Sequence, residues 1–430
     1  MPDLLIKDAI ILTQDAKRRV IRGDVRVEDG RITEVGATNE DADEVLEANG
    51  GILMPGFVNA HTHVSMSIMK GLADDIPFDK FLERMFAADA GRKDSDLLAG
   101  ARLGCLEMVR SGTTTFVDMY YSEDVIAEAV EELGLRGVLC WAVLDKEFTT
   151  QKGVPLDNCK RFHSEFKHES RIVPGIGLQG VYVCSRETFL ESKAFADENG
   201  LPLHMHLSET RGEVYEHKKK YGKRPVEWLR DIGFLEDRVL AAHCAWLTIN
   251  EVRALARAGA SVATCPVSNM KLATGGIAPI PELLREGANV SIGTDGSSTN
   301  NSLDMFGEMK TLALLQKSSR WDATVVSAQQ ALDFATLGGA RAIGMSSDLS
   351  SIEPGKRADI VILDPMAANL CPVTLQNAVS SVVYSANAGN VRTVLCDGRV
   401  IVKDRRSTLV DEDEVVGSAS AAASELLARN

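Results

Sequence analysis

The chain has 430 residues, 45% apolar and 25% charged, which suits a soluble globular protein with room for two or three domains, or for one α/β barrel of ~250 residues plus a smaller unit. Lys and Arg number 47 against 61 Asp and Glu, a net charge of -14 with no basic stripe, so nucleic acid is not an expected partner. No apolar run approaches the ~20 residues that span a bilayer, and the opening MPDLLIKDAIILTQDAKRR lacks a signal-peptide layout, so a cytoplasmic protein with no membrane partner is expected.

Residues 1–56 read as short strands, LLIKDAIILT, DVRVEDGRITEVG and GGILMPG, punctuated by Asp29-Gly30 and Gly50-Gly51 as hairpins require. Over 57–345 strands and helices alternate. A helix starts near Asp94/Ser95, either of which can cap it, and stops at Gly112. The strand TTTFVDM, the helix EDVIAEAVEELG and the strand GVLCWAVL follow. IVPGIGL, a helix over 186–199, LPLHMHL, VEWLRDIG and VLAAHCAW continue the alternation. INEVRALARAG, ASVATCP, PELLREG and NVSIGTD complete it. About eight strand-plus-helix units predict an α/β fold, a (β/α)8 TIM-like barrel with its chemistry at the C-terminal strand ends. After residue 346 the strand texture returns in KRADIVILD, AVSSVVYSA and VRTVLCDGRVIVKD, before a helical segment over 411–429. Neither flank buries a core alone, so 1–56 and 346–430 are expected to form one composite β-sandwich domain that includes the C-terminal helix. The eight cysteines are scattered without a CxxC pair, the pattern of buried thiols in a reducing compartment.

Chemistry concentrates at strand ends. His61 and His63 form HTH after an apolar run, and residues i and i+2 of a strand point to one side. His206 ends LPLHMHL, His243 ends VLAAH and Asp295 ends NVSIGTD. Any one of these is equally a hydrogen-bonded structural residue, and Asp295-Gly296 is also turn chemistry. Five together at equivalent strand ends point to a metal, since three imidazoles and a carboxylate leave room for one water on a catalytic divalent ion. His204 shares the face of His206 one step deeper and competes as a ligand. His163, His168 and His217 lie in polar helices and read as solvated. Glu209, three residues after His206, is either a helix-start charge or the acid that protonates a ring nitrogen beside a carbon under attack by water.

With HTH after PGFVNA, HLSE, AAHC, CPVSNMKLATGG, GTDGSSTNNSLDM and GKRADIVILD, the sequence resembles the amidohydrolase superfamily from about residue 4 to 425. More narrowly, it resembles the 5'-methylthioadenosine/S-adenosylhomocysteine deaminase and chlorohydrolase branch. The resemblance implies one zinc, or less often iron, per chain on His61, His63, His206 and Asp295. It gives His243 the task of orienting the water, Glu209 that of protonating the ring, and Asp295 that of passing the water's proton to leaving ammonia. Binuclear relatives carry a bridging carboxylated Lys after the fourth strand, where this chain offers only Lys146, so one metal is expected. Relatives commonly form dimers or tetramers, and a homo-oligomer is the expectation here.

The substrate pocket departs from that branch. Asp89 stands for the Glu that meets the ribose hydroxyls, and Trp141 and Lys152 stand where Arg residues are expected. Gln179 replaces a His. Trp141 either stacks on a flat heterocycle or packs the barrel, and Gln179 either pairs with ring edges or bonds backbone. Ser268, Asn269 and Lys271 shape the pocket mouth or simply form turns. The loss of both Arg residues weighs against S-adenosylhomocysteine, whose carboxylate lacks a guanidinium partner. The expected reaction is hydrolytic deamination of an aminated purine-like heterocycle, best an adenosine-type nucleoside with no bulky charged 5' group. The competing readings are another amino-heterocycle (guanine-like, pterin or s-triazine) and, more remotely, a metal-free barrel scaffold.

Overall fold

The computed structural model describes residues 3–38 and 42–429, which build two sheets. The strands in chain order begin with β1 (Leu4–Leu12), β2 (Val20–Glu28), β3 (Arg31–Gly36), β4 (Glu44–Glu47) and β5 (Ile52–Pro55). Next come β6 (Phe57–His63), β7 (Thr113–Tyr120), β8 (Arg136–Val143), β9 (Ile172–Leu178) and β10 (Leu203–Leu207). β11 (Val239–His243), β12 (Ser261–Thr264), β13 (Asn289–Ile292) and β14 (Asp295–Gly296) follow, and β15 (Ile360–Leu363), β16 (Val391–Cys396), β17 (Arg399–Lys403) and β18 (Arg406–Ser407) end the series.

Strands β6 to β14 form one parallel sheet in the order β13-β12-β11-β10-β9-β8-β7-β6-β14. β13 pairs with β12, and after Gly293 and Thr294 the chain continues as β14, which pairs Asp295 with Thr62 and Gly296 with His63 of β6. The two short segments are thus halves of one strand that closes an eight-stranded barrel, the (β/α)8 fold expected. Both faces of these strands are covered, so they read as unbroken apolar runs without polar alternation. Small and medium side chains such as Ala60, Val117, Cys140, Ala142 and Ala263 fill the interior. Phe116, Leu139, Trp141 and Ile176 face the helical layer. Closure is reinforced at Asn59, whose amide donates to Thr294 Oγ1 (2.7 Å) and whose carbonyl accepts from Thr294 N (3.0 Å).

The other sheet runs β18-β17-β16-β15-β5-β1-β2-β3, with β4 beside β1, so both chain ends contribute. Its alternation is legible: Ile360 and Ile362 enter its own apolar core with Leu4, Ile6 and Ile11. Val361 and Leu363 point the other way, into the core shared with the barrel. The buried Arg136 joins the two sheets, donating to Asp359 Oδ2 (2.6 Å) and Thr115 Oγ1 (2.9 Å) and pairing with Asp397.

Three local expectations need correction. AVSSVVYSA is a helix, Ala378–Tyr384, with Ala378, Ser381, Val382 and Val383 buried; Thr374 and Asn377 bond each other's backbone N–H and start the turn. The C-terminal helix, Glu412–Arg429, leaves the small sheet: its Ala419 and Leu426 pack with Ile68, Phe81 and Met85, and Arg429 pairs with Asp96. In the helix Asp94–Arg110 neither Asp94 nor Ser95 is the cap, because Asp96 reaches back to accept from Lys93 N (2.8 Å).

The junction between β13 and β14 has no room for a side chain. A Cβ on Gly293 would lie 2.6 Å from His61 Cβ and 2.7 Å from its backbone nitrogen. Gly293→Ala is therefore expected to cost about 1–3 kcal/mol through overpacking, read by denaturant unfolding. Stability equal to the parent contradicts this close approach.

Candidate active site

HTH ends β6, and His61 and His63 point into the barrel mouth while Thr62 turns outward to Asp118 (2.5 Å). His206 comes from β10, and Asp295 reaches the same point across the β14–β6 seam. The outer nitrogens of all three imidazoles are spoken for. His63 Nδ1–H donates to Met119 O (2.6 Å) and His206 Nδ1–H to Gln179 O (2.7 Å). His204 Nδ1–H donates to Leu240 O (2.8 Å), which leaves its Nε2 to accept from His61 Nδ1–H (2.7 Å). Each of His61, His63 and His206 therefore presents a bare Nε2 lone pair to the interior.

His63 Nε2 and His206 Nε2 are only 3.2 Å apart, and Asp295 Oδ1 lies 3.4 Å from His63 Nε2 and 3.6 Å from His61 Nε2. His61 Nε2 is buried with no hydrogen-bond partner. Burial and the neighbouring imidazoles hold His61 and His206 well below the usual histidine range. Converging imidazole and carboxylate donors fit a divalent cation: donor atoms of His61, His63 and His206 lie within 4.8 Å of one another, and so do those of His61, His243 and Asp295.

His243 differs from the other three. The Asn269 amide donates to its Nδ1 (3.2 Å), so its Nε2 carries the hydrogen and faces Glu209 Oε2 at 4.0 Å. Ser268 Oγ donates to Asp295 Oδ2 (2.6 Å), and Asp295 Oδ1 accepts from Gly296 N (2.7 Å). Burial, followed by the Asp295 charge, pushes Glu209 up to about 8, so it is a protonated acid at neutral pH. Backbone strain gathers here: Ser208, His243 and Asp295 have φ of 50°, 68° and 63°, the left-handed region that non-glycine residues avoid.

These groups floor a cavity of about 800 Å³. Its walls are apolar, with Phe81, Met85 and Phe86 from the helix Phe78–Ala90, Phe148 from the loop after β8, and Leu272. Among the described residues no Lys or Arg lines it, whereas Asp89, Glu147, Glu209, Glu213, Glu216 and Asp295 do. Asp89 stands in the wall, accepting from the Tyr120 hydroxyl beside the buried Arg92 guanidinium at 3.5 Å. Gln179 also lines the cavity.

Trp141 is not in this pocket. Strand parity turns it outward, 3% exposed, against Phe162 in the helical layer, while Ala142 takes the inward position. Lys146 does not bridge metals either, since its ammonium donates to Gln151 O (2.7 Å) and Gly153 O (2.6 Å). His217 is buried, not solvated: its Nδ1 bonds Lys223 O (2.9 Å) and its ring packs on Trp228.

The structure gives His204 and Lys271 roles other than those expected, and adds Glu213, which the sequence reading missed. His204 is a buttress to His61, not a competing ligand. Glu213 accepts from Ser208 N (2.9 Å) and Glu209 N (2.8 Å), which fixes the turn that presents Glu209. The pattern Thr210-x-x-Glu213 is a capping signature that pointed there, since Glu213 N donates to Thr210 Oγ1 (3.0 Å). Burial pushes Glu213 up to about 7 despite those two donors. Lys271, expected at the mouth, ties Asp74 (2.6 Å) to Asn301 (3.1 Å) beside the cavity wall.

The amidohydrolase family model matches residues 52–401. The chain is 45% identical to the 5'-deoxyadenosine deaminase of Methanothermobacter thermautotrophicus, over 94% of this chain and 95% of that protein. It is 38% identical to the 5-methylthioadenosine/S-adenosylhomocysteine deaminase of Thermodesulfovibrio yellowstonii, over 96% and 97%. The crystal structure of an adenosine deaminase from Xanthomonas campestris with bound zinc superposes with a TM-score of 0.94 at 31% identity, covering 99% of each chain. On its fold, its divalent-metal donor set and these relatives, the chain belongs to the amidohydrolase family.

Proposed function

We propose that this enzyme is a zinc-dependent hydrolytic deaminase of adenine nucleosides with an uncharged 5' substituent: 5'-deoxyadenosine, 5'-methylthioadenosine and adenosine. Water is consumed, and the products are the inosine-type nucleoside and ammonia. The observation that carries this reading is the largely buried Glu209 carboxyl, 4.0 Å from His243 Nε2, beside converging imidazole and carboxylate metal donors at the floor of an apolar cavity that no described Lys or Arg lines. The names of the relatives support the nucleoside, and the absence of Lys and Arg from the cavity lining argues against a substrate carboxylate. The unpaired cysteines, seven of the eight buried, suit a cytoplasmic enzyme, and among the described residues no helix is long and apolar enough to cross a membrane.

One zinc would be held by His61, His63, His206 and Asp295. When bound it would supply Lewis acidity that makes water nucleophilic near neutral pH. Lys146, tied to two carbonyls, supports a single ion. Glu209 donates its proton to the ring nitrogen beside the carbon attacked, which removes charge build-up from the purine. Asp295, steadied by Ser268, accepts one proton of the water and returns it to the leaving amine, while the water's second proton, lost as the carbonyl forms, restores the Glu209 acid. The His243 Nε2–H orients the oxygen, with Asn269 holding the ring in that tautomer. Asp89 is placed to accept from ribose hydroxyls, and Gln179 to meet the substrate from the wall that also positions His206.

Glu209→Gln is expected to keep its zinc and lose about 10²- to 10⁴-fold in kcat, the usual contribution of a general acid. In the parent, kcat/KM should fall as pH rises through about 8, where Glu209 loses its proton. That alkaline limb should be absent from the residual activity of the variant. Full activity in Glu209→Gln removes Glu209 from proton transfer.

Ammonia release by zinc-loaded protein against adenosine, 5'-deoxyadenosine, 5'-methylthioadenosine, S-adenosylhomocysteine, guanine, a pterin and an aminotriazine tests the substrate. The uncharged nucleosides should lead, with S-adenosylhomocysteine behind them. Turnover of a bare base with silence on nucleosides transfers the assignment to another amino-heterocycle.

A further inference from the structure

The loop between β8 and the helix Pro155–Phe166 walls the cavity through Leu144, Glu147, Phe148, Thr149, Thr150 and Gln151. The loop's first part is tied to the neighbouring βα unit, where the Asp145 carboxylate accepts from Ser185 N (3.0 Å) and Ser185 Oγ (3.1 Å) and pairs with Thr188, and a surface hollow of about 360 Å³ lies beside it. The later part, from Thr149 on, is held through Gln151. Gln151 Oε1 accepts from Trp141 Nε1–H (3.0 Å), its amide donates to Ala142 O (2.9 Å), its carbonyl accepts from the Lys146 ammonium (2.7 Å), and its backbone N–H donates to Thr149 Oγ1 (3.1 Å). Trp141 itself is immobilised, 3% exposed between Phe162 and the Arg161 guanidinium.

We infer that Trp141, although outside the pocket, is a positioning residue for specificity: through Gln151 it fixes the loop that receives the sugar and 5' end of the substrate. The inference rests on the nucleoside reading above. The reacting carbon must sit at the strand ends among Glu209, His243 and Asp295. The remainder of a nucleoside then extends towards the mouth, where Phe148 of this loop is half exposed opposite Phe86 of the helix Phe78–Ala90. A wall segment held by the Gln151 bonds to Trp141, Ala142 and Lys146 moves away from the substrate when they are cut. Binding then weakens while the proton-transfer groups and the metal donors stay in place.

Trp141→Phe removes the indole N–H and keeps an aromatic ring, and Lys146→Met removes the second hold without touching the barrel layer. Each should raise KM for 5'-deoxyadenosine and 5'-methylthioadenosine about three- to tenfold, the effect of one lost hydrogen bond, with kcat and zinc per chain within about twofold of the parent. Amide hydrogens of residues 149–153 should exchange faster in both variants, with those of β8 unchanged. An unchanged KM in both, or kcat and zinc falling together with the rise in KM, overturns the proposal. If Trp141→Phe does not fold, Lys146→Met carries the test. If the parent deaminates no nucleoside, the functional reading fails by itself, and the exchange experiment still decides whether these bonds hold the loop; unchanged exchange overturns it.

Discussion

Three imidazole Nε2 atoms and a carboxylate oxygen converge in a buried space, and His61 Nε2 has no hydrogen-bond partner there. This constraint organises the rest of the molecule. In water such acceptors would be solvated; buried, they repel unless a cation sits between them. The barrel maintains the arrangement from outside, because each imidazole is held by a backbone carbonyl: Met119 O for His63, Gln179 O for His206, and Leu240 O through His204 for His61. Strand register, not side-chain chemistry alone, therefore selects the tautomers. The closure at Gly293 and the Asn59–Thr294 bonds then bring Asp295 to the first strand.

Around that centre the electrostatics separate two kinds of acid. Asp295 is clamped by Ser268 and its own following N–H beside the imidazoles. Glu209, with its side chain 13% exposed and Glu213 fixing the turn beneath it, keeps its proton. Placing a carboxylic acid and a carboxylate on one floor lets a single site both deliver and accept protons, as replacing an amino group with oxygen requires. The walls contribute shape and exclusion: apolar side chains receive a flat base and an uncharged substituent, and an acidic, cation-free lining disfavours anions.

Much of this was legible in the sequence because the barrel places functional residues at one defined position of each strand. HTH, the ends of LPLHMHL and VLAAH, and NVSIGTD needed only the two-residue strand period and the count of βα units. What stayed hidden follows from the same physics. GVLCWAVL is buried on both faces, so no polar alternation revealed that Trp141 points outward and Ala142 inward. AVSSVVYSA is β-branched enough to pass for a strand, yet its buried positions fall at helical spacing. His204 and Glu213 act through other residues, and such roles show only when the strands are assembled. The C-terminal helix carries no signal of its destination, and its packing on the helix Asp94–Arg110 and on Val64–Met69 emerged only in three dimensions.

The most direct test of the account is the zinc content of protein stripped of metal and then reloaded at neutral pH, measured per chain for the parent and for His61→Ala. The account predicts one ion per parent chain and its loss in the variant. A parent chain that stays without metal, or a variant that binds as well as the parent, contradicts it.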